Sequence, residues 1–171
     1  MRVIINDANI LIDLVQLDLM NEFIKLEMEL KTTDFVYEEL NEEQKNIIDY
    51  YKDSGDIEII ETNDIEDYNR ILNILKHSSG LSFEDCSVWH YAEKLQGILL
   101  SGDARLRKQA LANGISVRGI LYVFDQLLLT NLITFDLAIN KLEQLYEFNP
   151  RLPINAKNER LLRWKSGKHV N

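Results

Sequence analysis

Four carboxylates stand at points where apolar runs end or helical patterns begin: Asp7 after Arg2-Val-Ile-Ile-Asn6, Glu39 after Asp34-Phe-Val-Tyr-Glu38, Asp85 within Leu81-Ser-Phe-Glu-Asp85, and Asp103 after Gly97-Ile-Leu-Leu-Ser-Gly102. Three of them are in phase with an apolar helical stripe. Asp7 lines up with Ile10, Leu11 and Leu14, Asp85 with Val88, Trp89 and Ala92, and Asp103 with Leu106 and Ala110, because residues three, four and seven apart share a helix face. A carboxylate on a core-facing stripe is costly unless a hydrogen-bond donor or a positive charge meets it. Converging carboxylates repel by roughly 4 kcal/mol per pair at about 4 Å and an effective dielectric near 20. They must protonate, splay apart or share a cation. Oxygen-only ligands favour Mg²⁺ or Mn²⁺ over zinc, and such ions support attack of water on a phosphodiester.

Each acid also has an ordinary structural explanation. Asp7 and Asp103 suit helix N-caps, Ser82 and Asp85 have capping-box spacing, and Glu39 fits a solvated face beside Glu38 and Glu42. Taken singly, the ordinary explanation is the better one for every acid. It weakens when all four could meet in one crevice.

The elements that would bring them together alternate. Strands are expected at Val3–Ile5, Phe35–Val36, Ile57–Ile60, Ile98–Leu100 and Ile115–Val117. Helices are expected over 9–16, 19–30, 38–44, 45–52, 64–76, 82–95, 104–112, 120–129, 135–146 and 158–164. This pattern predicts an α/β fold, a three-layer α/β/α sandwich around a mainly parallel sheet of about five strands. Ligands of such sheets collect beyond the carboxyl ends of the strands, near a topological switch point. Asp7 and Asp103 follow the two runs with the most central character.

Bulk properties narrow the class. The chain has 171 residues, with 46% hydrophobic and 27% charged, which suits one globular domain with a substantial core. We expect a main domain over 1–153 and a basic C-terminal extension over 154–171 with a short helix. No run is long enough to span a bilayer, and no signal-type segment precedes Val3. With Cys86 as the single cysteine, an intramolecular disulfide is excluded and a cytoplasmic setting is expected. The net charge of −9 opposes broad nucleic-acid affinity, but it is unevenly spread. Glu38 to Asp67 carries twelve acidic and two basic residues, whereas Asn149 to Asn171 carries six basic and one acidic. Such an asymmetry can steer a polyanion to one end. Cys86 reads as a small buried residue and Trp89 as core, while His77, His90 and His169 form no ligand spacing. No Walker loop or dinucleotide fingerprint is present.

The chain resembles the PIN-domain nucleases. The matching pieces are Ile4-Ile-Asn-Asp7-Ala-Asn9-Ile-Leu-Ile-Asp-Leu14, Val36-Tyr-Glu-Glu39-Leu40, Leu81-Ser-Phe-Glu-Asp85 and Leu99-Leu-Ser101-Gly-Asp103-Ala-Arg-Leu106. Gly114-Ile-Ser-Val-Arg-Gly119 before an apolar helix looks like the small bacterial and archaeal branch. The resemblance runs from about Arg2 to Pro153. It implies that Asp7, Glu39, Asp85 and Asp103 are the metal-binding and catalytic acids, with Mg²⁺ or Mn²⁺ as cofactor. Asn9 would stabilise the first loop, and Ser101 would orient the last acid through its hydroxyl. Ala8 departs from the commoner Thr or Ser, and Glu39 is preferred over Glu38 because Leu40 follows it.

The activity implied is a metal-dependent endoribonuclease acting on single-stranded or looped RNA and leaving a 5′-phosphate. Arg105 and Lys108, on the helix after Asp103, are candidates for phosphate contact. The resemblance also suggests the toxin of a toxin–antitoxin pair, with a small antitoxin protein as partner, and the C-terminal stretch suits either homodimer formation or partner binding. Two other classes compete. One is a non-catalytic RNA-binding or scaffold protein on the same fold. The other is a phosphatase or transferase with an aspartate nucleophile, for which the accessory phosphate loops are missing.

Overall fold

The computed structural model describes residues 1–170. Five strands, β1 (Arg2–Asn6), β2 (Met28–Thr33), β3 (Ile57–Ile60), β4 (Ile98–Leu100) and β5 (Ser116–Arg118), pair in parallel in the order β3-β2-β1-β4-β5. The helices are α1 (Ala8–Gln16), α2 (Met20–Phe23), α3 (Asp34–Glu38), α4 (Glu42–Asp53), α5 (Ile65–His77), α6 (Phe83–Lys94), α7 (Ala104–Ala112), α8 (Ile120–Leu129), α9 (Phe135–Phe148) and α10 (Ile154–Lys165). The expected parallel α/β architecture is observed. Among the described residues no helix is long and apolar enough to cross a membrane.

The central strands owe their place to unbroken apolar sequence. Ile4 and Ile5 of β1 and Leu99 and Leu100 of β4 are almost fully buried, and the register sets Ile5 beside Leu99 and Asn6 beside Leu100. Strands covered on both faces need side chains of this kind. The chain runs from β1 outward to β2 and β3, then crosses back to lay β4 on the other side of β1. The switch point therefore lies between the carboxyl ends of β1 and β4.

The chain divides into two compact units, with the boundary falling inside α1. The first, residues 1–12 and 27–119, contains the whole sheet. In it α6 packs on β1, β2 and β4, α5 and α3 pack on α6, and α7 packs on β5. Helix α6 is buried at seven consecutive positions, from Cys86 to Ala92. The second unit, residues 13–26 and the chain from Ile120 onward, is helical. There α8 meets α2 and α9, and α9 meets α10. Arg160 grips Asp125 through two hydrogen bonds of 3.1 and 2.5 Å. Trp164, 1% exposed, lies with its ring centroid 6.0 Å from that of Phe124. Helix α10 is thus longer than the 158–164 segment expected.

Two expectations fail in the same stretch. Residues 19–30 do not form one helix: α2 ends at Phe23, and the second strand is Met28–Thr33. Phe35–Val36 is not a strand but part of α3. Leu26 and Leu30 continue a helical spacing from Leu19 and Phe23, yet Thr32 and Thr33 are β-branched and favour an extended chain. Thr33 then accepts a hydrogen bond from the Val36 backbone and so starts a helix where the apolar pair suggested a strand.

Candidate active site

The parallel sheet delivers Asp7 directly to the switch point. It follows the last residue of β1, and its backbone N–H donates to the Leu100 carbonyl at 2.9 Å, extending the β1–β4 ladder by one rung. Its carbonyl accepts from Ile10 at 3.1 Å and so opens α1. The side chain is buried, 4% exposed, and accepts hydrogen bonds from the first turn of α1 and from the segment after β4. Oδ1 accepts from the Ala8 backbone at 2.8 Å, while Oδ2 accepts from Asn9 Nδ2 and from the Ser101 hydroxyl, both at 2.6 Å.

Asn9 and Ser101 tie the first acid to the last. Asn9 Oδ1 accepts from the Gly102 backbone at 2.7 Å. A Cβ at residue 102 would lie 3.1 Å from that oxygen, so glycine permits the close approach. The Ser101 oxygen, fully buried, also accepts the Asp103 backbone N–H at 3.0 Å. Ser101 therefore holds the carboxylate of Asp7 and the backbone of Asp103.

Asp103 and Asp85 are both helix caps, as their spacing allowed. Asp103 Oδ1 accepts from the Leu106 backbone at 2.8 Å at the start of α7. Asp85 Oδ2 accepts from the Ser82 backbone at 2.9 Å, and Ser82 Oγ accepts from the Asp85 backbone at 3.0 Å, a complete capping box. Capping occupies one oxygen of each acid and leaves the other without a partner among the described residues. Glu39 does not end a strand. It is the C-cap of α3, exposed, and its carboxylate has no hydrogen-bond partner among the described residues. Its neighbour Glu38 is paired with Lys45 at 2.6 Å. The structure thus separates the two adjacent glutamates.

Electrostatics joins the four acids. Burial pushes the Asp7 carboxyl up to about 6, with the charge of Asp85 adding to the rise and the bonds from Ser101, Ala8 and Asn9 opposing it. Partial desolvation by the surrounding protein pushes Glu39, though exposed, up to about 7, helped by the charges of Asp7, Glu84 and Asp85. Asp85 is raised by burial first, then by Asp103 and Glu84, against the Ser82 bonds. Glu84 is a fifth carboxylate in this field that the motif reading passed over. Its position beside Asp85 in the first turn of α6 was the available signal.

An all-oxygen donor set in a field of raised carboxyls suits a hard cation. The side chains do not close around one: among the described residues no three His, Cys, Asp or Glu are grouped so as to hold a metal ion. Glu39 and one oxygen each of Asp85 and Asp103 have no hydrogen-bond partner among the described residues. Arg105 and Lys108 are exposed on α7, and the Arg105 guanidinium lies beside Gly80, where a Cβ would be 3.0 Å from Nη1. Cys86 is buried, with its thiol pushed up to about 11 mainly by burial, which suits a packing role. His90 is buried against Asp67 at 2.8 Å and stands outside the acidic field.

A family model described as "DUF3368: PIN domain" matches residues 3–166. A solved structure of VapBC-1 from nontypeable Haemophilus influenzae is similar at 14% identity and a TM-score of 0.49, over 70% of this chain and 98% of that chain. No curated protein matches the sequence.

Proposed function

We propose, from the premise that this chain belongs to the PIN-domain family, that it is a metal-dependent endoribonuclease cleaving phosphodiester bonds of single-stranded or looped RNA. Membership in that family supports nuclease activity in general; the RNA substrate, the metal and the roles of individual acids are our reading. The observation that carries it is the shared field of Asp7, Glu39, Asp85 and Asp103, in which burial and mutual charge raise three of the carboxyls.

In this reading Asp7, Asp85 and Asp103 hold Mg²⁺ or Mn²⁺, directly or through water. The ion supplies positive charge that offsets both the repulsion among the acids and the charge developing on the phosphate. Asp7 is the fixed member, held by three hydrogen bonds. Glu39, exposed and unpartnered, accepts hydrogen bonds from the attacking water and orients it in line with the P–O3′ bond. Ser101 and Asn9 keep the β1 and β4 ends in register. A single strand presents a phosphate to this site without unwinding a duplex. A small antitoxin-type partner covering the acids follows from the motif resemblance, and co-purification with the product of an adjacent gene tests it.

The test is cleavage of a mixed-sequence single-stranded RNA in Mg²⁺ or Mn²⁺, with EDTA and Asp103→Asn alongside. Asparagine caps a helix about as well as aspartate, so Asp103→Asn keeps α7 while removing a charge from the site. Asp7→Asn is less clean, because an amide cannot accept all three bonds that Asp7 accepts. Cleavage that disappears with EDTA and in Asp103→Asn supports the reading. Cleavage at the parent rate in Asp103→Asn overturns the site, and RNA binding without turnover in either metal favours a non-catalytic binding protein.

A further inference from the structure

The strand end that carries Asp103 is closed by a side chain from the helix that follows it. The Ser101 N–H donates to the Arg118 carbonyl at 3.0 Å, and there the β4–β5 ladder stops, since Ile120 starts α8. The Ser101 carbonyl, past that last rung, accepts from Arg107 Nη1 at 3.0 Å. The Arg107 backbone N–H meanwhile donates to the Asp103 carbonyl at 3.0 Å, the first bond of α7. One residue thus bonds both the base of the loop and the acid within it.

Asp103 lies inside this frame. Its N–H donates to Ser101 Oγ at 3.0 Å, and its Oδ1 accepts from the Leu106 backbone at 2.8 Å. Gly102, with no side chain, gives the loop conformational freedom that the closure removes. The closing group is an unusual one to find half-buried. Among the described residues no carboxylate is bonded to Arg107, so no ion pair offsets the loss of water around its charge. What its charge does here is strengthen a hydrogen bond to a carbonyl. Gly119 keeps the path open: a Cβ there would lie 3.1 Å from Arg107 Nη1 and 3.7 Å from the Ser101 carbonyl oxygen.

We propose that Arg107 is a positioning residue of the acidic site, closing the 101–107 loop on the Ser101 carbonyl and so fixing where Asp103 presents its carboxylate. This rests on the nuclease reading above, in which Asp103 is one of the acids that hold the metal. Arg107 touches neither metal nor RNA; it acts through Ser101 and Asp103, and a site held to a fraction of an ångström depends on such supports.

The test uses Arg107→Gln, Gly119→Val and the double variant. Valine at 119 retains Arg107 but fills the space of its guanidinium. The first readout is amide hydrogen exchange by NMR, which needs no turnover. In each single variant the Asp103 and Leu106 amides are expected to exchange about 10-fold faster, while those of β1 and α6 keep the parent rate. The second is steady-state cleavage, where each single variant is expected to lose about 10–100-fold in kcat with KM for RNA unchanged. The double variant should lose no more than the worse single one, because both changes break one contact. Parent-like exchange at Asp103 and Leu106 in both single variants overturns the closure, and equal acceleration at all amides reduces Arg107 to a general stabiliser. A loss confined to KM makes Arg107 a direct phosphate contact instead, and losses that multiply in the double variant separate Gly119 from Arg107; either overturns the proposal. If the parent cleaves no RNA, the nuclease reading falls while the exchange rates still decide the closure.

Discussion

Ser101 donates its hydroxyl to Asp7 Oδ2 at 2.6 Å across 94 positions of sequence, and the same oxygen accepts the backbone N–H of Asp103. One small side chain therefore holds two of the acids. Ser101→Ala leaves a buried carboxylate short of a donor and a backbone N–H short of an acceptor. The expected cost is about 1–3 kcal/mol of stability, read by urea unfolding, and about 10–100-fold in cleavage rate. A variant as active as the parent would show that Asn9 and Ala8 suffice to hold Asp7.

The adjacent glutamates should behave differently. Glu39 lies in the field of Asp7 and Asp85, whereas Glu38 is held by Lys45. Glu39→Gln is expected to slow cleavage by about 10²-fold or more with unchanged unfolding. Glu38→Gln loses only an exposed ion pair, worth roughly 0–1 kcal/mol, and should cleave like the parent. Initial rates with one RNA substrate separate the two; equal losses would place Glu38 in the site.

Asp13, 7% exposed, is a buried acid outside that field, bonded to Asn149 Nδ2 at 3.2 Å. Burial raises its carboxyl from 3.8 to about 6, against the pull of that bond. Between these values the folded chain binds more protons than the unfolded one. Its favourable contribution is therefore complete below the ordinary carboxylate range and lost as pH rises through about 6. Near neutral pH the buried charge costs up to about 3 kcal/mol. Asp13→Asn should be more stable than the parent near pH 7 by about 1–2 kcal/mol, with the gain vanishing in acid. Urea midpoints at the two pH values check this, and a gain of the same size in acid would rule out the buried charge as its cause.

Asp67 has the opposite sign. Burial alone would raise its carboxyl, but hydrogen bonds from Lys94, at 2.7 Å to each oxygen, and His90, at 2.8 Å, hold it below the ordinary range. Such a group stabilises the fold above the unfolded carboxylate range, and this is lost as pH falls through the lowered value. Asp67→Asn should cost about 1–3 kcal/mol near pH 7, because it removes the charge to which Lys94 and buried His90, both on α6, are bonded. The difference should shrink in acid, as thermal unfolding at two pH values will show.

The sheet was legible wherever local sequence decides the element. Ile57–Ile60 and Ile98–Leu100 lie where expected, as does α7, because short apolar runs bounded by turns leave little choice. β2 was hidden because leucine and phenylalanine at helical spacing upstream outweighed two threonines. The helix at Asp34–Glu38 depends on one hydroxyl, that of Thr33. The caps of Asp85 and Asp103 were readable from spacing of three residues. The hydrogen bonds from Ser101 to Asp7 and from Gly102 to Asn9 were not, since they cross 94 and 93 positions. Spacing marked the acids; only the return of β4 to the side of β1 shows how they are held.

That return sets an order of assembly. Until β4 docks, Asp7 has neither the Leu100 carbonyl for its backbone nor the Ser101 hydroxyl for its side chain. A chain emerging from the ribosome therefore carries Asp7, Glu39 and Asp85 for some time before the site can exist, since closing so long a loop comes late in folding. The same dependence works in reverse. Peeling β4 and β5 from the sheet edge would dismantle the acidic site while β1 to β3 remained paired, so chemistry would fail before the rest of the sheet did.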